Sequence, residues 1–133
     1  MKSNPIRWLR ISYWAGAILD VAAGLMMVSP ALFALMNRPI NFQPVNDFRY
    51  AMGMGAPLMF AWTILLIWAD QKPLERKGIL PITLLVVIGE VATQIWGIAA
   101  GFVPFRSLVP TFMLQIVLSA LFVFSYFNAR KIK

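Results

Sequence analysis

The chain has 133 residues, of which 60% are hydrophobic and only 13% charged, with a mean hydropathy of +0.74 and a net charge of +7. Soluble domains carry roughly 25% charged residues, so this balance excludes an ordinary water-soluble globule. The absence of cysteine and histidine removes thiol–disulfide exchange, Cys-ligated Fe–S and zinc sites, bis-His haem and His-based acid–base chemistry.

Lys2, Arg7 and Arg10 precede the first apolar run, residues 11–29. Ala15-Gly16-Ala17 resembles a signal-peptide cleavage site, but the apolar stretch before it is too short and too interrupted, so the run is expected to be a retained span. Its one formal charge is Asp20, set between Gly16 and Gly24. Ser29-Pro30 has the form of an N-cap followed by proline at the first helical position, which predicts a short interfacial helix over residues 31–36. Residues 37–49 turn polar and contain Pro39 and Pro44, as an ordered irregular loop would.

Arg49 opens the second run, residues 51–69, in which Met52-Gly53-Met54-Gly55 and Pro57 mark a close-packing or kink site. The methionines read as apolar filling rather than Cu(I) ligands, because Met52 and Met54, like Met26 and Met27, point to different helix faces. Residues 70–78 mix both signs of charge and contain Pro73 and Gly78, as a solvated turn between two helix ends would. The third run, residues 79–100, carries Glu90 as its one charge, with Gln94 one turn on. Gly89, Thr93, Gly97 and Gly101 recur there every four residues, which predicts a small-residue ridge for close helix approach. Arg106 leads the fourth run, residues 108–127, which holds Thr111 and Gln115. Each half of the chain thus offers a helix with a central acid and a returning helix led by arginine, a weak parallel repeat.

Each run spans roughly 30 Å as a helix, the thickness of the hydrocarbon layer. The expected fold is therefore all-α: a single polytopic membrane domain over residues 1–133, a four-transmembrane-helix bundle with a short interfacial helix after the first span. Nine basic residues (Lys2, Arg7, Arg10, Lys72, Arg76, Lys77, Arg130, Lys131 and Lys133) fall on one side and three (Arg38, Arg49 and Arg106) on the other. The positive-inside rule then puts both termini in the cytoplasm, and it accounts for the basic excess without nucleic acid. Trp8, Tyr13, Trp14, Trp68 and Tyr126 would mark the inner interface, and Phe42, Tyr50, Phe102 and Phe105 the outer one.

An acid at the depth of Asp20 or Glu90 is expensive and points to function by default. The first and third helices are expected to meet along Gly16/Gly24 and Gly89/Thr93/Gly97/Gly101, bringing the two acids together at similar depth. Two like charges in a low dielectric cannot both be ionised cheaply. With Gln94, Gln115 and Thr111, and with Arg49 and Arg106 at the outer mouth, the acids outline a ligand or proton site that opens outward. Taken singly, the glutamines and the threonine read as interhelical hydrogen-bond glue rather than as ligands, whereas the paired acids read as functional.

The segment from Arg49 through Gly53-Met54-Gly55-Ala56-Pro57 to Trp62, Trp68-Ala69-Asp70 and the loop ending at Gly78 resembles a pattern shared by small four-span membrane proteins of bacteria and archaea. The overall plan is similar to the DoxX-like group of small four-helix membrane proteins. The resemblance implies a plasma (inner) membrane protein of a prokaryote and transfers no catalytic residue.

Three classes of function follow. One is a transporter or binding protein for a small or lipophilic molecule, proton-coupled through Asp20 and Glu90 and assembled as a homo-oligomer. A second is a lipid-binding or accessory subunit of a membrane complex, and a third is an intramembrane acid–base enzyme. No cofactor or metal is expected, and the partners are the lipid bilayer, a second copy and a lipophilic small molecule.

Overall fold

In hydrocarbon the backbone has no water to bond, so each apolar run must close its own hydrogen bonds as a helix. The computed structural model describes residues 4–132; Lys2 and Lys133, counted above among the flanking basic residues, lie outside the described residues. Its elements are α1 (Pro5–Val28), α2 (Pro30–Asn37), α3 (Asn46–Asp70), α4 (Ile79–Ala99) and α5 (Phe105–Arg130). All but α2 are long and apolar enough to cross a membrane. The protein is thus an all-α bundle of four membrane-length helices with one short helix after the first.

Local chemistry sets several helix ends. Asn4 caps α1 by accepting from the Ile6 N–H at 3.1 Å, with Pro5 at the first helical position. Ser29 serves two helices: its N–H donates to the Leu25 carbonyl to end α1, and its Oγ accepts from the Leu32 N–H to begin α2. Arg38, with φ of 47°, then turns the chain out of α2. Phe33, Phe42 and Phe48 stack edge to face or tilted, with centroids 4.9–5.3 Å apart, and hold the following loop against the start of α3.

Helix α1 is the spine of the bundle, packed along α3 on one side and α5 on the other, while α4 leans on α5. The buried residues of α5 (Leu108, Gln115, Leu118, Phe122, Ser125 and Ala129), together with half-buried Thr111, alternate steps of three and four. That is the seven-residue seam of left-handed helix packing. Tyr13, Leu9, Leu66, Leu80 and Phe122 form the centre of the core.

Two packing expectations are corrected. The α4 ridge receives no helix of this chain: a Cβ added at Gly89, Gly97 or Gly101 would have nothing within 4 Å. Four residues turn a helix by about 400°, so such a series drifts by about 40° per step and winds around the helix. Gly89 and Thr93 are accordingly exposed and only Gly97 reaches the bundle side. The glycines of α1 are filled instead by α3 and α5. A Cβ at Gly24 would lie 2.6 Å from Phe60 Cε1, and one at Gly16 would lie 2.9 Å from Leu66 Cδ1 and 3.2 Å from Phe122 Cζ.

The end that carries both termini is latched by polar contacts. Ser12 Oγ and Ser125 Oγ lie 2.7 Å apart and 3.0 and 3.2 Å from the Trp8 carbonyl. One hydroxyl donates to that carbonyl and the other to its neighbour. Tyr13 is fully buried rather than an interfacial anchor, and its hydroxyl donates to the Pro73 carbonyl at 3.2 Å. The 70–78 loop is held further by Lys77 Nζ on the Ala129 carbonyl at 3.4 Å, and by Arg76, which donates to the Trp68 carbonyl and lies 3.5 Å over the Trp68 ring.

Candidate functional site

Helix α4 turns Leu80, Thr83, Val87, Glu90, Gln94 and Gly97 inward, at steps of three and four residues. Glu90 is at the midpoint of that helix, and Gln94 stands one turn nearer the α4–α5 connection. Asp20 lies on the packed face of α1 between Gly16 and Gly24, about two turns from its α2 end. Gln115 is on the α5 seam, about three turns from the start of that helix. All four residues therefore fall at the middle of the bundle or in the half toward α2.

Of these four, the structure joins Gln115 to Glu90, with Gln94 one turn along α4 from the same carboxyl. Gln115 Nε2 donates to Glu90 Oε2 at 3.3 Å, and Asp20 lies within electrostatic range of Glu90. Asp20, Glu90 and Gln94 are half-buried, whereas Gln115 is only 7% exposed. Three acceptor oxygens in this group, Asp20 Oδ2, Gln94 Oε1 and Gln115 Oε1, are buried without a hydrogen-bond donor. Buried polar atoms are nearly always paired, so three in one cluster form a distinct chemical feature. The amides are oriented so that the one carboxylate contact uses a donor and the free atoms are all acceptors.

Below the cluster, toward the termini, lies an apolar floor. Val87 is one turn before Glu90 and Leu118 one turn after Gln115, and both are buried in the core. Two turns below Glu90, Thr83 Oγ1 accepts from Trp62 Nε1 at 3.1 Å and donates to the Ile79 carbonyl at 2.9 Å, clasping α3 to α4. Sequence reasoning passed over this clasp, although Thr83 shares the i, i+4, i+7, i+11 face of Val87, Glu90 and Gln94.

Arg49 and Arg106, expected at the mouth of the site, are not brought to the carboxylates. Arg49 is exposed and its Nε donates to the Pro44 carbonyl at 3.1 Å. Arg106 is exposed in the first turn of α5, roughly 13 Å along the helix from Gln115. Thr111 is half-buried on the α5 seam, one turn nearer that end than Gln115. Gly16 and Gly24 flank Asp20 and bring α3 and α5 side chains close beside it, while Gly89, Thr93, Gly97 and Gly101 have no such part. Among the described residues there is no group of three or more His, Cys, Asp or Glu side chains that could hold a metal ion.

No family model matches the chain, and no curated protein or solved structure is significantly similar to it.

Proposed function

We propose that this is a multi-pass protein of a prokaryotic plasma membrane, with both termini in the cytoplasm, that binds a small or lipophilic cation at Asp20 and Glu90 in exchange with a proton. One observation carries the reading: the three donorless oxygens, Asp20 Oδ2, Gln94 Oε1 and Gln115 Oε1, around a carboxylate pair. A low-dielectric site rich in acceptors is relieved by a ligand that brings donors and positive charge. With Arg49 bonded to the Pro44 carbonyl and Arg106 exposed in the first turn of α5, no basic side chain among the described residues supplies that charge from within. The basic residues clustered at the terminal end support the topology.

The test is proton release on adding protonated lipophilic amines to purified protein. Wild type should release protons on binding, and Asp20→Asn with Glu90→Gln should fold and release none, since the amides keep size and hydrogen-bonding capacity. Protein that binds no amine across a broad panel, with a pH–stability curve matching the double amide, would end this reading.

A second reading, an accessory subunit or homo-oligomer, draws on the small-residue face of α4. Gly89 and Thr93 are exposed with open space beyond Gly89, so a helix of another chain could approach there closely. Cysteine at position 89 should then cross-link in membranes to that partner.

A further inference from the structure

A second site lies on the outer surface of α1, remote from the carboxylates. Asn4, Ile6, Arg7, Arg10, Ile11 and Trp14 line an open groove of about 400 Å³ near the start of the helix. Its chemistry is divided. Ile6, Ile11 and Trp14 are exposed apolar walls, while Arg7, Arg10 and Asn4 supply only donors toward the groove. Asn4 spends its side-chain oxygen on the α1 cap, which leaves its Nδ2 for another acceptor.

The charge at this groove is positive and incompletely answered. Among the described residues no carboxylate pairs with Arg7. Arg10 meets Asp70 Oδ1 through Nε at 3.5 Å, which leaves its two terminal amino groups free. Asp70 also accepts from Trp14 Nε1 at 3.3 Å, so one carboxylate at the end of α3 positions both Arg10 and the Trp14 ring. Through Asp70 the Trp14 indole is held at the last residue of α3, and a tryptophan at the end of a membrane span sits at headgroup depth. Two arginines three residues apart are neighbours on one helix face, with spacing suited to a shared phosphate.

We propose that this groove binds an anionic phospholipid, its phosphate between Arg7 and Arg10, its polar headgroup toward Asn4 and the start of its acyl chains along Ile11 and Trp14. Charge complementarity selects the headgroup, and the apolar walls select a lipid over a free phosphate. The site is independent of the midplane carboxylates, so either assignment stands without the other.

The experiment is native mass spectrometry of the purified protein titrated with phosphatidylglycerol and, separately, with phosphatidylcholine. Wild type should prefer phosphatidylglycerol, and Arg7→Gln and Arg10→Gln should each lower that preference about fivefold. Arg7→Gln is the decisive variant, because among the described residues the Arg7 side chain makes no hydrogen bond or ion pair whose loss could unfold the protein. Arg130→Gln with Lys131→Gln, which removes charge at the same end outside the groove, should leave the preference unchanged. Equal affinity of wild type for the two lipids would overturn the proposal. So would a loss in the Arg130/Lys131 variant equal to that in Arg7→Gln, since a diffuse basic surface would then suffice. Glycerol phosphate should fail to displace phosphatidylglycerol; displacement at equal concentration would mark a free-phosphate site instead.

Discussion

Gln115 reaches from α5 to α4 and donates through Nε2 to Glu90 Oε2 at 3.3 Å, with its own Oε1 buried and donorless beside the carboxylate. The bond spans the α4–α5 interface at the depth where neither group has water to fall back on. It ties the position of the Glu90 carboxyl to the packing of the α5 seam.

Removing that carboxyl strands the Gln115 amide completely. Glu90→Ala should destabilise the protein by about 1–3 kcal/mol, the penalty of an unsatisfied buried polar group plus lost packing. Glu90→Gln should lie close to wild type, because its amide oxygen accepts from Gln115 Nε2 equally well. Unfolding in detergent compares the two, and equal losses would show that the hydrogen bond contributes nothing.

The glycines of α1 and α4 should respond in opposite ways. Gly24→Ala places a methyl against the Phe60 ring and should cost about 1–3 kcal/mol through forced displacement. Gly89→Ala meets open space and should raise helix stability by up to about 1 kcal/mol. Thermal midpoints in detergent provide the measurement, and a destabilised Gly89→Ala would reveal a partner on that face.

Ser12 and Ser125 are both fully buried and share the Trp8 carbonyl. Each alanine substitution should cost about 0.6–1 kcal/mol, typical of a hydrogen bond between membrane helices. The double variant should lose less than the sum, since either single change already breaks the shared arrangement. Strict additivity would mean that the two hydroxyls act separately.

Topology is checked from the loop after α2. A cysteine at exposed Gln43 should react with impermeant reagents from outside the cell, and a reporter fused after Lys133 should be active only in its cytoplasmic form. Gln43 is preferred to Asn41, whose φ of 53° disfavours a cysteine. Labelling of position 43 from the cytoplasmic side alone would invert the bundle.

The helices were legible because a bilayer leaves the backbone one economical solution. The apolar runs at residues 11–29, 51–69, 79–100 and 108–127 each lie on one membrane-length helix, overrunning α1 and α4 by a single residue. Ser29-Pro30 marked α2 because one serine can cap two helix ends. The observed helices reach further than most of the runs, from Pro5 in α1 and to Arg130 in α5, since a helix continues past the hydrocarbon where polar side chains find headgroups and water.

By itself, then, the sequence determined that there would be four membrane-length helices, a short one after the first, and carboxyls near the middle of two of them. The tertiary structure decided the rest: that α1 packs on α3 and α5, that Gly89 and Thr93 of α4 face away from the bundle, that Tyr13 is buried, and that Gln115 rather than an arginine answers Glu90. The physical reason is that lipid tails are as apolar as a packed core, so hydrophobic periodicity carries little information about which face turns inward. Shape and a few buried hydrogen bonds settle that choice, and they exist only once the helices have met.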